Sequence, residues 1–127
     1  MIRARWILVF AMAFCVLPRA AGADEAAAKV SLTQELEQRV PRNWQIHVRW
    51  REATLLASFM PPYQEAFDLW YQPDLLLAKM KGLCPALGDP IWHMLMPNQD
   101  IVMEPTVGGK TAAEMRVSCR SVVRAPI

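Results

Sequence analysis

The sequence is poor in several residue types, and each shortage excludes a class of protein. It has only 3 cysteines and 5 glycines in 127 residues, which excludes a disulfide-dense miniprotein and a collagen-like chain. The formal net charge is only +2, far below the basic excess that is typical of nucleic-acid-binding domains. Charged residues make up 20% and hydrophobic residues 54%, so an intrinsically disordered chain is also excluded. The length suits one domain and is too short for two.

The common catalytic and nucleotide-binding motifs are missing as well. The chain contains no G-x-S-x-G, H-E-x-x-H or C-x-x-C-H motif and no phosphate-binding glycine loop. Its only histidines are His47 and His93. The sequence therefore favours a protein without enzymatic activity, and we expect no cofactor.

The N-terminal segment has the three-part pattern of a secretory signal. Two arginines precede the apolar run 6–17, and the small residues 21–23 fit the site that signal peptidase cuts. The run has 12 residues, fewer than the ~20 that a membrane-spanning helix needs, and Arg19 prevents its extension. We therefore expect residues 1–23 to be removed, leaving Asp24 at the N-terminus of a periplasmic or secreted protein without a membrane span.

Removal of the signal changes both the charge and the cysteine count. Of the 127 residues 104 remain, as a single small domain over 24–127; Lys and Arg fall from 14 to 11 against 12 acids, so the net charge becomes −1. Two cysteines are left, Cys84 and Cys119, and such a pair in an exported protein predicts one disulfide. The crosslink closes a loop of about 36 residues, worth roughly 3–4 kcal/mol in the chain-entropy model.

Hydrophobic periodicity predicts an α+β fold. We expect an antiparallel sheet of three or four strands, with two or three helices packed on one face and an N-terminal helix that frays at its alanine-rich start. The predicted elements are, in chain order, helix 24–40, strands 44–51 and 53–60, a segment 63–71, helix 73–83, a short apolar segment 91–96, and a hairpin of strands 101–107 and 112–122. The pattern of segment 63–71 fits both a helix and a strand, and we favour the helix.

The register of the C-terminal hairpin follows from keeping its apolar side chains on one face. A three-residue loop pairs Met103 with Met115, whereas a two-residue turn at Gly108–Gly109 mixes apolar and charged side chains. The chosen register places Glu104 opposite Glu114 on the wet face, with a small repulsion between them.

The leading candidate for a binding surface is the strand 44–51, where aromatic and β-branched residues alternate with polar ones. Its wet face carries His47, Arg49 and Arg51, and Arg42 lies shortly before it. Such a cluster suits an anionic ligand or an acidic partner. The competing interpretation is ordinary surface charge that water solvates.

The leading interpretation of function is an exported binding or accessory protein that acts on an envelope or secreted partner. A different possibility is a small secreted hydrolase in which His47 and His93 act as the acid and the base. That possibility requires the two imidazoles to meet in space, which the sequence does not specify.

A third interpretation concerns the segment Trp92–Met96. Over these five residues it resembles the Met/His/Trp sites of small periplasmic Cu(I) carriers, and the resemblance implies His93, Met94 and Met96 as soft ligands. In an extended segment Met94 and Met96 share one face while His93 points to the other. The competing interpretation is that the methionines fill gaps in the core.

Four aromatic residues at helical spacing allow two interpretations. They could line a groove for a sugar or a peptide. Helical spacing more often marks residues of the core, so we expect burial. The four residues are Tyr63, Phe67, Trp70 and Tyr71.

Overall fold

The expected α+β class is confirmed in the computed structural model, which describes residues 21–107, 110–111 and 113–124. Residues 1–20 lie outside this part, so removal of the signal stays a prediction. The elements are α1 (Ala21–Arg39), β1 (Gln45–Arg51), β2 (Thr54–Met60), α2 (Tyr63–Trp70), α3 (Pro73–Gly82), α4 (Ile91–Met94), β3 (Asp100–Val107), β4 (Lys110–Thr111), a 3₁₀ helix (Ala113–Met115), β5 (Val117–Ser118) and α5 (Cys119–Arg124).

The sheet is mostly antiparallel, with one parallel pairing. β1 and β2 form an antiparallel hairpin, and the short strands β4 and β5 both pair antiparallel with β3. β3 runs parallel to β2, because the three helices of residues 61–99 carry the chain back across the sheet. The hairpin turns at Glu52, whose φ of 56° is left-handed, as tight hairpins require. Among the strands that the structure describes, β1 pairs only with β2, so it lies at the edge of their sheet.

One continuous core lies between the sheet and the helices. Every second strand residue faces it, because strand side chains alternate between the two faces. From α1 it receives Leu32 and Leu36, both fully buried, at the predicted four-residue spacing. Burial of such a side chain stabilises the fold by about 1.5–3 kcal/mol. The main strand residues of the core are Val48, Leu55, Ala57, Phe59, Ile101, Met103 and Val117.

Two indole N–H groups tie β1 to the helical layer. Trp44, just before β1, donates to a carboxylate oxygen of Glu65 on α2 at 3.0 Å. Trp50 donates to the backbone carbonyl of Glu25 on α1 at 2.8 Å. Each bond satisfies the single donor of an indole that is largely covered, so both rings are held in register with the helices.

The expected cysteine pairing is confirmed. Cys84 follows α3, and its sulfur lies at disulfide distance from that of Cys119, with the two Cα atoms 5.3 Å apart. Cys119 was expected on a strand. It is instead the first residue of α5, because the predicted strand 112–122 is broken into a 3₁₀ helix, the two-residue strand β5 and a helix. The pair therefore links the end of α3 to the C-terminal segment beside β3.

The predicted register of the C-terminal hairpin is wrong. Val107 pairs with Lys110, so only two residues separate the strands there; these two lie outside the described residues. Farther along, Met103 lies opposite Val117 rather than Met115. The 3₁₀ helix between β4 and β5 takes up residues that a regular ladder would pair. Met103 still faces an apolar residue, Val117, across the strands. The prediction assumed a continuous ladder and therefore did not include the 3₁₀ helix that shifts the register.

Glu104 is also placed differently from the prediction. It was expected on the wet face opposite Glu114, but it is 1% exposed and forms an ion pair with Arg116. The arginine donates to the carboxylate and covers it, which compensates the desolvation of the buried charge.

Candidate functional site

The side chains of His47, Arg49 and Arg51 are exposed on the same side of β1, as predicted from the alternation. We call these three residues the basic row. Their neighbours Val48 and Trp50 face α1, so the row lies on the opposite, open face of the sheet. Residues two apart in a strand are about 6.7 Å apart, which makes the row about 13 Å long.

The basic row has no carboxylate partner within the part of the chain that the structure describes. The two ion pairs found there join Arg39 to Glu35 and Arg116 to Glu104. The arginines of the row can therefore bind an external anion without first breaking an internal bond, and their exposure keeps the desolvation cost of such binding low.

A shallow cavity of about 200 Å³ lies at the end of the row. Arg51 and Arg116 contribute to its lining, together with the apolar side chains of Leu56 and Val102, which pair across β2 and β3. Arg116 is already paired with Glu104, so Arg51 is the cation that an external carboxylate with an apolar stem can bind beside this apolar surface. Glu52 also lines the cavity and limits its net positive charge.

Arg116 was absent from the predicted site. In the sequence it is 65 positions away from Arg51, and only the pairing of β5 with β3 brings it to this cavity. No sequence pattern distinguishes Arg116 from other surface arginines, so only the three-dimensional arrangement identifies it.

The other arginines near the row have different positions. Arg42 is exposed in the turn that leads into β1, at the opposite end of the strand from Arg51. Arg39 donates to the backbone carbonyls of Gly82 and Leu83 at the end of α3. It therefore satisfies carbonyl groups that the end of a helix leaves free, which is a structural role.

The two histidines lie on different layers. His47 is exposed on the open face, whereas His93 is exposed on α4, which packs against α1 on the helical side. The sheet and its helices separate the two, so the structure does not bring together the acid and base of the hydrolase hypothesis.

The soft side chains are also placed apart from one another. α4 is a single helical turn rather than the extended segment on which the shared face of Met94 and Met96 was predicted. Met94 packs against the core, Met96 is 60% exposed, and Met103 is fully buried on β3. Within the described ranges no three or more His, Cys, Asp or Glu side chains are grouped to hold a metal ion. The sequence favours methionines that fill the core, and the Cu(I) site remains an untested alternative.

The expectation that the four aromatic residues are buried is wrong. α2 is helical, but it turns Ala66 and Leu69 inward and leaves the aromatic side chains in solvent. Tyr63 is 77% exposed and Tyr71 70% exposed. The two other aromatic residues, Phe67 and Trp70, are 49% and 42% exposed.

Three of these rings form a continuous series. The ring centroids of Tyr63 and Phe67 are 6.5 Å apart and those of Phe67 and Tyr71 4.9 Å apart. We call these three residues the aromatic ladder. It stands on the outer surface of the helical layer, on the side of the molecule away from the open face of the sheet.

One carboxyl group on the helical side has a displaced pKa. Burial raises the pKa of Glu35 above its ordinary value, and a hydrogen bond and charge repulsion from Asp89 raise it further, against the opposite effect of Arg39. The group lies between α1 and the turn before α4, away from the basic row, so it bears on stability rather than on binding there.

Comparison with known proteins gives no family for this chain. No protein-family model, no curated protein and no solved structure matches it. None of the helices in the described ranges combines the length and the apolar composition needed to cross a bilayer.

Proposed function

We propose that this protein is an exported, non-enzymatic binding module that holds an acidic partner on the basic row. The observation that carries the proposal is the exposure of His47, Arg49 and Arg51 along one side of an edge strand, with no carboxylate partner among the described residues. The partner is an envelope or secreted protein, or another anionic ligand.

The cavity beside the row supports the same proposal. It lets an acidic side chain with an apolar stem approach Arg51 while it contacts Leu56 and Val102. Charge on the rim of an interface mainly accelerates association, and apolar contact slows dissociation. The row and the cavity combine the two.

Two features support the export part of the proposal. The disulfide-distance pair of Cys84 and Cys119 fits an oxidising compartment. The apolar N-terminal run and the small residues after it fit a cleaved signal. Mass spectrometry of the native protein should find Asp24 as its first residue. An intact Met1 in the membrane fraction would contradict export.

Binding to poly-glutamate, followed by fluorescence anisotropy at low salt, tests the basic row with a defined probe. Arg49→Ala plus Arg51→Ala removes both guanidinium groups of the row and should weaken binding by about tenfold. That factor corresponds to a loss of roughly 1.4 kcal/mol of binding free energy. Lys29→Ala plus Lys79→Ala is the matched control, because it removes the same charge from exposed helical positions.

The control variant should keep nearly full affinity, apart from a small uniform loss due to net charge. Equal losses in the two double variants would mean that the protein attracts anions through its overall charge, and the basic row would have no special function. Binding that persists unchanged in both would also reject the proposal.

A further inference from the structure

The aromatic ladder is an exposed apolar surface that the proposed function does not use. Aromatic side chains bury 150–250 Å² each when covered, and contiguous exposed apolar patches of several hundred Å² mark interaction sites. The core behind α2 is already complete, because Ala66 and Leu69 fill its inner face. The rings therefore add nothing to the packing of the core and are free to contact another molecule.

The charge around the ladder specifies what it can accept. α2 has no basic residue, and of its two acids Glu65 is held by the Trp44 indole N–H, so Asp68 is the exposed carboxylate beside the ladder. Asp68 is exposed, and neither of the two ion pairs within the described ranges involves it. Ring faces attract cations, most of all arginine, and a nearby carboxylate strengthens that attraction. The ladder thus suits a surface that presents basic side chains in a line.

Such a surface exists on the same chain. The basic row extends for about 13 Å, with successive Cα positions about 6.7 Å apart. The ladder covers eight residues of helical rise, about 12 Å, and its ring centroids are 6.5 Å and 4.9 Å apart. The two surfaces are therefore similar in length, and their charges are opposite in sign.

The two surfaces cannot meet within one molecule, because the row lies on the open face of the sheet and the ladder on the outside of the helices. We propose that the aromatic ladder of one copy docks on the basic row of a second copy. The proposal rests on the proposed function and names its partner: the acidic surface that the row holds is α2 of another copy.

The assembly would be head-to-tail rather than a symmetric dimer. Each contact joins two different surfaces, so every added copy leaves one row and one ladder unoccupied, and the assembly stays open unless its rotation closes a ring. The net charge of the chain is small, so long-range repulsion between copies does not oppose this contact.

Sedimentation equilibrium of the purified protein at low salt tests the proposal. The weight-average mass should rise with concentration over roughly 10 µM to 1 mM, as for a weak interface. Arg49→Glu plus Arg51→Glu should remain monomeric because its row is reversed. Tyr63→Ala plus Phe67→Ala should also remain monomeric because its ladder is lost. Both sets of side chains are exposed, so the fold should survive.

The decisive measurement is a mixture of the two variants in equal amounts. Each retains one intact surface, so the mixture should form dimers and stop there, since no further copy can add. Leu87→Ala, which removes another strongly exposed apolar side chain away from the ladder, is the control and should associate like the unmodified protein.

Failure of this inference can be told apart from failure of the proposed function. A monomeric unmodified protein up to about 1 mM, or a mixture that stays monomeric, overturns the head-to-tail contact. If poly-glutamate still binds and binding depends on Arg49 and Arg51, the basic row keeps its proposed function with a different partner. If neither association nor poly-glutamate binding occurs, both proposals fall.

Discussion

β1 and α2 both have a regular apolar spacing that includes aromatic residues, and they place these aromatic residues in opposite environments. In β1 the aromatic face is turned toward α1, with Trp50 half-buried and bonded to α1, while the charged face meets solvent. In α2 the small and aliphatic residues Ala66 and Leu69 are buried, and the rings are turned outward.

The difference shows that periodicity defines an element without defining its buried face. β1 alternates apolar and polar residues and so has only one apolar side, which must face the core. α2 is apolar on two sides, because Leu69 and Ala66 oppose the rings. The neighbouring layer then selects the side whose shape fits the space between α2 and β3.

The largest expected effect concerns the inner face of β1. Trp50→Ala should cost about 3 kcal/mol, because it removes apolar contacts and the hydrogen bond to the Glu25 carbonyl. Arg49→Ala, its neighbour on the open face, should change stability by less than about 0.5 kcal/mol. Urea unfolding of both variants measures the contrast. A larger cost for the arginine would mean that the two faces of β1 are reversed.

The matched pair on α2 sharpens the comparison. Leu69→Ala should lower the free energy of unfolding by about 2.5 kcal/mol, since the side chain is 5% exposed. Phe67→Ala removes a larger group but should cost less than about 1 kcal/mol, because the ring is half in solvent. Equal losses in chemical denaturation would indicate that the ladder belongs to the core.

The disulfide should have a slightly smaller effect, concentrated on the helical side. Cys119→Ser should cost about 2 kcal/mol, below the full chain-entropy value, as is common for such crosslinks. The link holds the end of α3, so amide hydrogen exchange should accelerate there first and leave the β1–β2 hairpin protected. Uniform acceleration in both regions would show that the hairpin also depends on the crosslink.

The smallest expected effect is on the pH dependence of stability, and it compares Glu35 on the helical side with Arg49 on the basic row. The pKa of Glu35 is raised by burial and by Asp89, so its ionised form is disfavoured in the folded state. The stability that the protonated form contributes is complete at low pH and is lost as the pH rises through the folded pKa. Glu35→Gln should therefore be more stable than the unmodified protein near pH 7.

That advantage should vanish below about pH 4, where the carboxyl is protonated in both states. Thermal unfolding over a series of pH values gives the comparison. Arg49→Ala on the basic row provides the reference, since its stability should follow the same pH curve as the unmodified protein. A Glu35→Gln variant that is less stable at neutral pH would show that the ion pair with Arg39 outweighs burial.

Several elements of the fold follow directly from local patterns. The alternation in β1, the four-residue spacing of Leu32 and Leu36, and the helix after Pro62 all appear where they were expected. Each depends only on residues close together in the chain. The pairing of Cys84 with Cys119 was predictable because the expected removal of residues 1–23 would leave just two cysteines.

The misplaced features depend on contacts between distant residues. Glu104 is buried because Arg116 reaches it from the C-terminal segment, and Met103 meets Val117 because a 3₁₀ helix interrupts the hairpin. Neither contact can be predicted from the local sequence pattern. A continuous ladder would have paired Met103 with Met115, whereas in the fold the apolar residue opposite Met103 is Val117.

By itself the sequence determined the α+β class, the cysteine pairing and the side of β1 on which the basic row lies, because each of these follows from short-range periodicity or from a count of residues. Only the tertiary structure decided that β3 runs parallel to β2, that Arg116 joins Arg51 at one cavity, and that the aromatic ladder faces solvent. These three features depend on contacts between elements that are far apart in the sequence. The interior must be closely packed, so the position of each element is determined by all of its neighbours together.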